Sequence, residues 1–125
     1  MKYLATATFA ASLALASAAD AAVFIVNAQA NSSNGGTGVS SLALAAGQTF
    51  TVSVDADDLW SAGALPRWSN ADGLNGPRIA TGTDESGEPA GTLIGSPFAA
   101  WTQNGLTAAY GSLVGEIGGI YKVLG

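Results

Sequence analysis

Two groups of acidic residues in this 125-residue chain could bind a cation. One is the trio Asp55, Asp57 and Asp58, directly after a predicted strand. The other is the segment Asp84 to Glu88, which places three carboxylates around a glycine. Carboxylate oxygens are ligands that calcium prefers. Acidic residues in such positions also act as solvated turn formers, and the segment 84–88 lacks the EF-hand spacing, so both interpretations stay open.

The chain has three tryptophans, whose indole rings could stack on the apolar faces of sugar rings. Trp101 follows Phe98 and two alanines, a context that predicts burial in the core. Trp68 lies instead in a polar segment with Asn70 and Asp72 close by, and we predict that it is the exposed indole. Trp68, Asn70 and Asp72 are therefore the candidate carbohydrate-binding residues. A purely structural role of Trp68 stays equally open.

Histidine and cysteine are absent from the sequence, which excludes several kinds of chemistry. The chain cannot form a disulfide, a thiol nucleophile, a zinc site with Cys or His ligands, or a histidine general base. A pair of carboxylates could still hydrolyse a glycoside, but one of them would need an apolar cleft that raises its pKa. The residues around the acidic groups do not suggest such a cleft. We therefore predict that the protein is not an enzyme.

The first 21 residues predict export. Lys2 precedes an apolar stretch rich in alanine and leucine, and Ala19-Asp20-Ala21 forms a signal-peptidase motif of the A-x-A type. The stretch is shorter than the roughly 20 apolar residues that a membrane anchor needs. Cleavage leaves residues 22–125 as a single domain without a membrane span, secreted or held at the cell surface.

The net charge of the chain is −5, from nine acidic and four basic residues. An acidic surface repels phosphate backbones and anionic lipids. We therefore predict that the protein binds no nucleic acid and does not attach to membranes by charge. No feature of the sequence sets the oligomeric state.

Apolar and β-branched runs predict strands in the first half of the mature chain. The clearest is Thr49 to Val54, where apolar and polar side chains alternate with period two, so that one face of the strand would be buried. Leu42 to Ala45 precedes it across a turn at Gly47-Gln48, and Val23 to Val26 predicts an opening strand. From Asp55 to Gly91 the chain has no sustained periodicity and is predicted to be one long irregular segment.

The last third of the chain predicts a hairpin. Leu113 to Ile117 and Ile120 to Leu124 flank Gly118-Gly119, a pair suited to a type I′ turn. The segment 111–115, Gly-Ser-Leu-Val-Gly, echoes Gly-Thr-Leu-Ile-Gly at 91–95, and both are predicted to begin strands. Together these patterns predict an all-β domain built from an antiparallel sheet.

Five short motifs from Leu42 onward carry a family resemblance. They are the Gly-led strand Gly47–Val54, Trp60-Ser61-Ala62-Gly63, the loop Asn70-Ala71-Asp72-Gly73, the segment Tyr110–Ile117 and the closing strand Ile120–Gly125. With these motifs the chain resembles the bacterial galactose-binding lectin domain of the PA-I galactophilic type. Similar chains also occur among exported PEP-CTERM proteins, which are associated with exopolysaccharide.

The resemblance implies an antiparallel β-sandwich that binds a sugar through a calcium ion. It assigns a calcium ligand to the backbone carbonyl of Gly63 and a sugar contact to the loop of Asp72. Asp84 and Glu88 are further candidate ligands because they supply carboxylate oxygens. The acidic, Asn-rich loop that carries most calcium ligands in that family has no counterpart in this chain, and neither has the PEP-CTERM tail. Either the sandwich, residues 22–125, is truncated at its C-terminus, or the chain is a degenerate member that has lost the calcium site. We expect truncation, because Val123-Leu124-Gly125 has the pattern of a strand that runs towards a turn.

Two functions of different classes follow from the sequence. The first is an exported, non-catalytic carbohydrate-binding module of the cell surface or exopolysaccharide matrix, with calcium as its cofactor and galactose-type sugars or exopolysaccharide as its partner. The second is a structural surface or matrix protein of the same fold without a ligand site. Binding of any sugar separates the two hypotheses.

Overall fold

The structure is a computed structural model that describes residues 21–33, 35–40 and 43–125. Within these residues the fold is all-β: eight short strands form antiparallel pairs, and no residue is helical. The predicted antiparallel β class is therefore confirmed. No described segment forms a helix with the length and apolar character needed to cross a bilayer. Nearly all of the predicted signal peptide, residues 1–20, lies outside the described residues.

The eight strands are arranged as four two-stranded sheets, each made of strands adjacent in sequence. The pairs are β1 (Trp60–Ser61) with β2 (Trp68–Ser69), β3 (Arg78–Ile79) with β4 (Leu93–Gly95), β5 (Ala100–Gln103) with β6 (Leu106–Ala109), and β7 (Val114–Ile117) with β8 (Ile120–Val123). A single antiparallel bridge between Arg67 and Gly95 connects the first pair to the second.

The predicted C-terminal hairpin is confirmed. Strands β7 and β8 pair with Ile117 opposite Ile120, so the connection is the two residues Gly118 and Gly119. Both glycines have positive φ, 58° and 82°, as a type I′ turn requires. A backbone of this kind strongly favours glycine, and this local demand made the hairpin predictable.

A second two-residue turn, which was not predicted, connects β5 to β6. Asn104 and Gly105 form the turn with φ values of 50° and 78°. Asn-Gly is the preferred residue pair for a type I′ turn, so the signal was present in the sequence. This hairpin matters for function because it carries Trp101.

The clearest strand prediction, that of Thr49 to Val54, is wrong. These residues form no strand, and the side chains of Phe50 and Val52 are 45% and 44% exposed. Val23 to Val26 is also without a strand and exposed. Period-two alternation shows that a segment could form a strand with one buried face. A strand also needs a second strand to pair with, and none of the described residues pairs with these segments. The predicted strand Leu42 to Ala45 lies partly outside the described residues.

The prediction of one irregular segment from Asp55 to Gly91 is also wrong in part, because β1, β2 and β3 lie within it. Each of these strands has only two residues. A strand of two residues is too short to show an alternation of apolar and polar side chains. Such strands therefore leave no pattern in the sequence from which they could be predicted.

The core is small and is built around the central segment, residues 69–74. Every residue of this segment is buried except Asp72. The wholly buried Ile94 of β4 belongs to the same core, and so does Ala80. Backbone hydrogen bonds tie the segment to later parts of the chain. They are Leu74 N–H to Tyr110 O (2.8 Å), Phe98 N–H to Leu74 O (3.0 Å) and Leu113 N–H to Ala71 O (3.0 Å).

The predicted burial of Trp101 is wrong. Its side chain is 48% exposed and lies on β5, a strand whose four residues all face solvent to a large extent. The core that the structure describes is made mostly of small side chains around Ile94 and Leu74, and the indole lies outside it. A single exposed apolar side chain is common on protein surfaces, whereas contiguous exposed apolar surface marks an interaction site.

Candidate functional site

The central segment contains two of the three predicted sugar-binding residues, but Asn70 acts within the protein. Asn70 is 5% exposed. Its amide Nδ2 donates to the Ala56 carbonyl at 3.1 Å, and its Oδ1 accepts from the Asp72 N–H at 3.2 Å. Both ends of the amide are thus engaged, and the role that the geometry supports is to fix the turn that carries Asp72.

Asp72 is the exposed member of this turn. Its backbone carbonyl accepts a hydrogen bond from the Ser112 hydroxyl at 3.0 Å, and the residue is exposed. Trp68, the third predicted sugar-binding residue, is half-buried on β2 opposite Ser61. The structure therefore brings Asn70 and Asp72 together by a hydrogen bond, whereas Trp68 presents only part of its ring.

Two of the predicted calcium ligands, Asp84 and Glu88, lie in one loop between β3 and β4, and Asp84 organises that loop. Its carboxylate accepts from the Thr81 hydroxyl at 3.0 Å, the Ser86 N–H at 3.1 Å, the Thr81 N–H and the Ser86 hydroxyl. The Glu88 N–H donates in turn to the Ser86 hydroxyl at 3.2 Å. These bonds commit the oxygens of Asp84 to neighbouring donors.

The remaining predicted ligand, Gly63, lies in the separate loop between β1 and β2. Its carbonyl accepts from the Ser61 hydroxyl at 2.8 Å. In the part of the chain that the structure describes, no three acidic side chains form a group that could hold a metal ion. As described, this donor set fits calcium poorly, because the ion takes six to eight oxygen ligands. Calcium binding stays a prediction from the resemblance.

The Asp84 carboxylate gives the loop a specific pH dependence. The Ser86 hydroxyl, followed by the Thr81 N–H, lowers its pKa from 3.8 to about 2. Because the folded state lowers the pKa, the loop is stabilised above pH 4, and this contribution is lost as the pH falls through about 2. We expect Asp84→Asn to lose stability at neutral pH and to show a flatter decline between pH 4 and 2 than the wild type.

The measurement is thermal unfolding from pH 7 to pH 2, with Glu85→Gln as the control for loss of one negative charge in the same loop. Glu85 is exposed and neighbours Asp84 in sequence. Equal pH profiles for wild type and Asp84→Asn would show that the hydrogen bonds of Asp84 do not stabilise the folded state.

An exposed aromatic cluster, formed by Phe98, Trp101 and Tyr110, lies where the sequence predicted core. The Phe98 and Tyr110 rings meet edge to face, with centroids 5.2 Å apart and an interplanar angle of 68°. Trp101 and Tyr110 also meet edge to face, with centroids 6.5 Å apart at 74°. Phe98 is 43% and Trp101 48% exposed. Tyr110 thus supports both outer rings, and each outer ring presents apolar surface to solvent.

The β5–β6 hairpin positions Trp101 in this cluster. Trp101 pairs across the hairpin with Ala108, whose methyl group covers little of the indole. The indole N–H donates to the Gln103 side-chain carbonyl at 3.3 Å, on the same face of β5. On the opposite face the hydroxyls of Thr102 and Thr107 are 2.8 Å apart. The hairpin therefore has one face with an aromatic and an amide group and one with hydroxyls.

A guanidinium group extends the aromatic cluster. The Cζ atom of Arg67 lies 3.6 Å from the centroid of the Phe98 ring, which is a close cation–π contact. Arg67 and Phe98 line a shallow groove of about 210 Å³ together with Pro66, Ser96 and Pro97. Trp60, the remaining tryptophan, is half-buried, and its indole N–H donates to the Gly111 carbonyl at 3.0 Å, so its role is structural.

A second, larger groove of about 410 Å³ lies next to the Asp84 loop. It is lined by Asp57, Leu59, Arg78, Ile79, Thr81, Thr83, Asp84 and Glu85. The groove has one arginine among three carboxylates, so its basic group is compensated by neighbouring acidic groups. It contains members of both acidic groups that the sequence singles out.

No family model, curated protein or solved structure matches the chain. The lectin resemblance is thus carried by the sequence motifs quoted above. The fold and the site define the chain at a coarser level, as an all-β protein with an aromatic cluster and an adjacent arginine on its surface.

Proposed function

We propose that this protein is an exported, non-catalytic carbohydrate-binding module with an antiparallel β-sandwich of the lectin type, and that sugar binds at the aromatic cluster. The observation that carries the proposal is the exposure of Trp101 beside Tyr110 and Phe98. Water contact with so much aromatic surface is unfavourable, and an apolar sugar face relieves it. The predicted signal peptide supports a location outside the cell or at its surface.

Each residue of the site has a distinct role in the proposal. The indole of Trp101 packs on the apolar face of a pyranose ring. Gln103 accepts the indole N–H through its carbonyl oxygen, so its amide N–H₂ group can donate to a sugar hydroxyl. Tyr110 meets both outer rings edge to face and fixes their orientation. This arrangement binds a sugar without a bond being made or broken, in agreement with the absence of histidine and cysteine from the sequence.

The proposal relocates the sugar site from the predicted residues Trp68, Asn70 and Asp72. Asn70 is committed to internal hydrogen bonds, and the ring of Trp68 is half-buried. Asp72 keeps an exposed carboxylate and stays a candidate contact. Calcium is not needed for stacking on Trp101, and its effect is measured by adding calcium or a chelator to the same binding assay.

The proposal predicts that Trp101→Ala weakens sugar binding by about 10- to 100-fold, because the apolar area covered by the ring is lost. The fold should persist, since the side chain lies on the surface. The assay is isothermal titration calorimetry with galactose and galacto-oligosaccharides, and with exopolysaccharide for longer ligands.

Two control variants locate the site. Phe50→Ala removes another exposed aromatic side chain, from residues that form no strand, and is expected to leave affinity unchanged. Asp72→Ala tests the predicted loop. Loss of binding in Asp72→Ala with wild-type affinity in Trp101→Ala would overturn the relocated site and restore the predicted one.

One observation favours the second function, that of a structural surface or matrix protein. The β7–β8 hairpin exposes the apolar side chains of Val114, Ile117 and Ile120, the last of them 67% exposed. Exposed apolar surface of this kind is typical of protein contacts. A folded wild-type protein that binds none of the sugars would favour this function.

A further inference from the structure

We infer that the ligand of the aromatic cluster is an acidic sugar, and that Arg67 binds its carboxylate. This inference rests on the proposed function and specifies its ligand class. Two observations carry it: the stacking of Arg67 on Phe98, and the absence of any acidic residue among the described residues that line the adjacent groove.

Stacking on Phe98 fixes the guanidinium group of Arg67. With Cζ at 3.6 Å from the ring centroid, the face of the guanidinium is covered by the aromatic ring. A guanidinium has five N–H donors around its rim, and stacking leaves rim donors free for a planar oxyanion. An arginine held in this way loses less conformational entropy on binding, which is a form of preorganisation.

The charge of Arg67 is not compensated within its groove. The other lining residues, Pro66, Ser96, Pro97 and Phe98, carry no charge. The second groove shows the opposite arrangement, because Arg78 there is accompanied by Asp57, Asp84 and Glu85. In a chain with nine acidic and only four basic residues, a groove whose charged lining is a single arginine is a selective site for an anion.

Phe98 connects this groove to the aromatic cluster. The same ring contacts both Arg67 and Tyr110, and Tyr110 contacts Trp101. A sugar chain that packs on Trp101 and follows these rings can therefore place another of its units against Arg67. Ser96 lines the groove and can hydrogen bond to a hydroxyl of that unit.

One carboxylate per sugar unit suits this site better than several charges per unit do. The two oxygens of a carboxylate match the fork of a guanidinium in a bidentate hydrogen bond. The net charge of −5 disfavours ligands with several charges per sugar unit, such as heavily sulfated glycans. The ligand class is therefore a glycan with uronic acid units, recognised one carboxylate at a time.

The test compares an oligogalacturonide with its methyl ester, which has the same sugar units without the charge. Calorimetry with the wild-type protein is expected to give at least 10-fold tighter binding of the free acid at low ionic strength. Arg67→Gln should bind the free acid no more tightly than it binds the ester.

Two control variants distinguish a direct role of Arg67 from a general effect of charge or of misfolding. Arg78→Gln makes the same change of charge in the second groove and is expected to keep the preference for the acid. Arg67→Lys keeps the charge without the planar fork and is expected to retain part of the preference, which also covers the case in which Arg67→Gln fails to fold. A galactose sulfate tests whether the site accepts other anions; binding as tight as that of the free acid would overturn the carboxylate assignment.

The outcomes separate this inference from the proposed function. Equal binding of acid and ester by the wild type would overturn the inference and leave the proposed function standing. A preference for the acid that survives in Arg67→Gln would overturn the assignment to Arg67 and move the anion site elsewhere. No binding of any sugar would overturn both.

Discussion

Replacement of Gly73 with alanine is expected to destabilise the fold by about 2–5 kcal/mol. Gly73 has a φ of +87°, which costs an L-residue roughly 1–2 kcal/mol. A Cβ atom there would also lie 2.3 Å from the Ser112 Oγ and 2.8 Å from the Ala109 Cβ. Ser112 can turn away, but Ala109 belongs to β6, and such overpacking costs about 1–3 kcal/mol more. For a domain stable by roughly 5–15 kcal/mol this is a severe loss.

The measurement is urea unfolding followed by tryptophan fluorescence, and the chain offers a matched control. Gly91 has almost the same backbone conformation, with φ of +90°, but a Cβ atom added there would have no neighbouring atom within 4 Å. Gly91→Ala should therefore show only the conformational cost. Equal losses in the two variants would mean that the crowding around Gly73 relaxes freely.

Replacement of Ile94 with alanine is expected to cost about 2–5 kcal/mol, because the side chain is completely buried and the core has few large residues to fill the space. Ile94 is the largest fully buried side chain among the described residues. It lies on β4 between Leu93 and Gly95, so its loss would loosen the strand that is bridged to Arg67. Urea unfolding at neutral pH measures the effect.

Ile120→Ala provides the comparison for Ile94. The same atoms are removed, but Ile120 is 67% exposed at the start of β8, and a loss of less than about 1 kcal/mol is expected. A cost at Ile120 as large as that at Ile94 would show that the β7–β8 hairpin is covered in solution, for example by a second copy of the chain.

Local turn chemistry was the part of the fold that could be predicted from the sequence. Gly118-Gly119 demanded positive φ at two successive positions, and the hairpin around them followed from that demand. Asn104-Gly105 made the same demand and could have been used in the same way. Both hairpins close over two residues, so their strands are determined by neighbours in sequence.

The segments that depend on distant partners could not be predicted. Thr49 to Val54 has the pattern of a strand but pairs with nothing in the described structure, whereas the two-residue strands β1 and β2 have no pattern and are paired. In β2, the buried Ser69 donates to the Gly111 carbonyl, 42 residues further along the chain. A contact between residues so far apart cannot be predicted from the pattern of neighbouring residues.

The indole that the sequence predicted to be exposed is not the one that the structure exposes most. Tryptophan was the correct residue type to examine for an exposed indole, yet Trp101, predicted to be buried, is the more exposed, and Trp68 is half-buried. The alanines before Trp101 suggested a core, but Ala100 lies on an exposed strand. The contact of Arg67 with Phe98 joins residues far apart in the sequence, and it could not be foreseen from either neighbourhood.

Hydrogen bonds between residues far apart in the sequence also affect the rate at which the chain folds. The Ser112 hydroxyl reaches the Asp72 carbonyl across 40 residues, and the Trp60 indole reaches Gly111 across 51. Hairpins with two-residue turns form in about 1–10 μs, but these contacts require the closure of long loops, whose entropy is lost before any burial is gained. The two C-terminal hairpins can thus form early, while the core around residues 69–74 assembles only when the chain has closed on itself. We therefore expect closure of these long-range contacts, and not the hairpins, to limit the rate of folding.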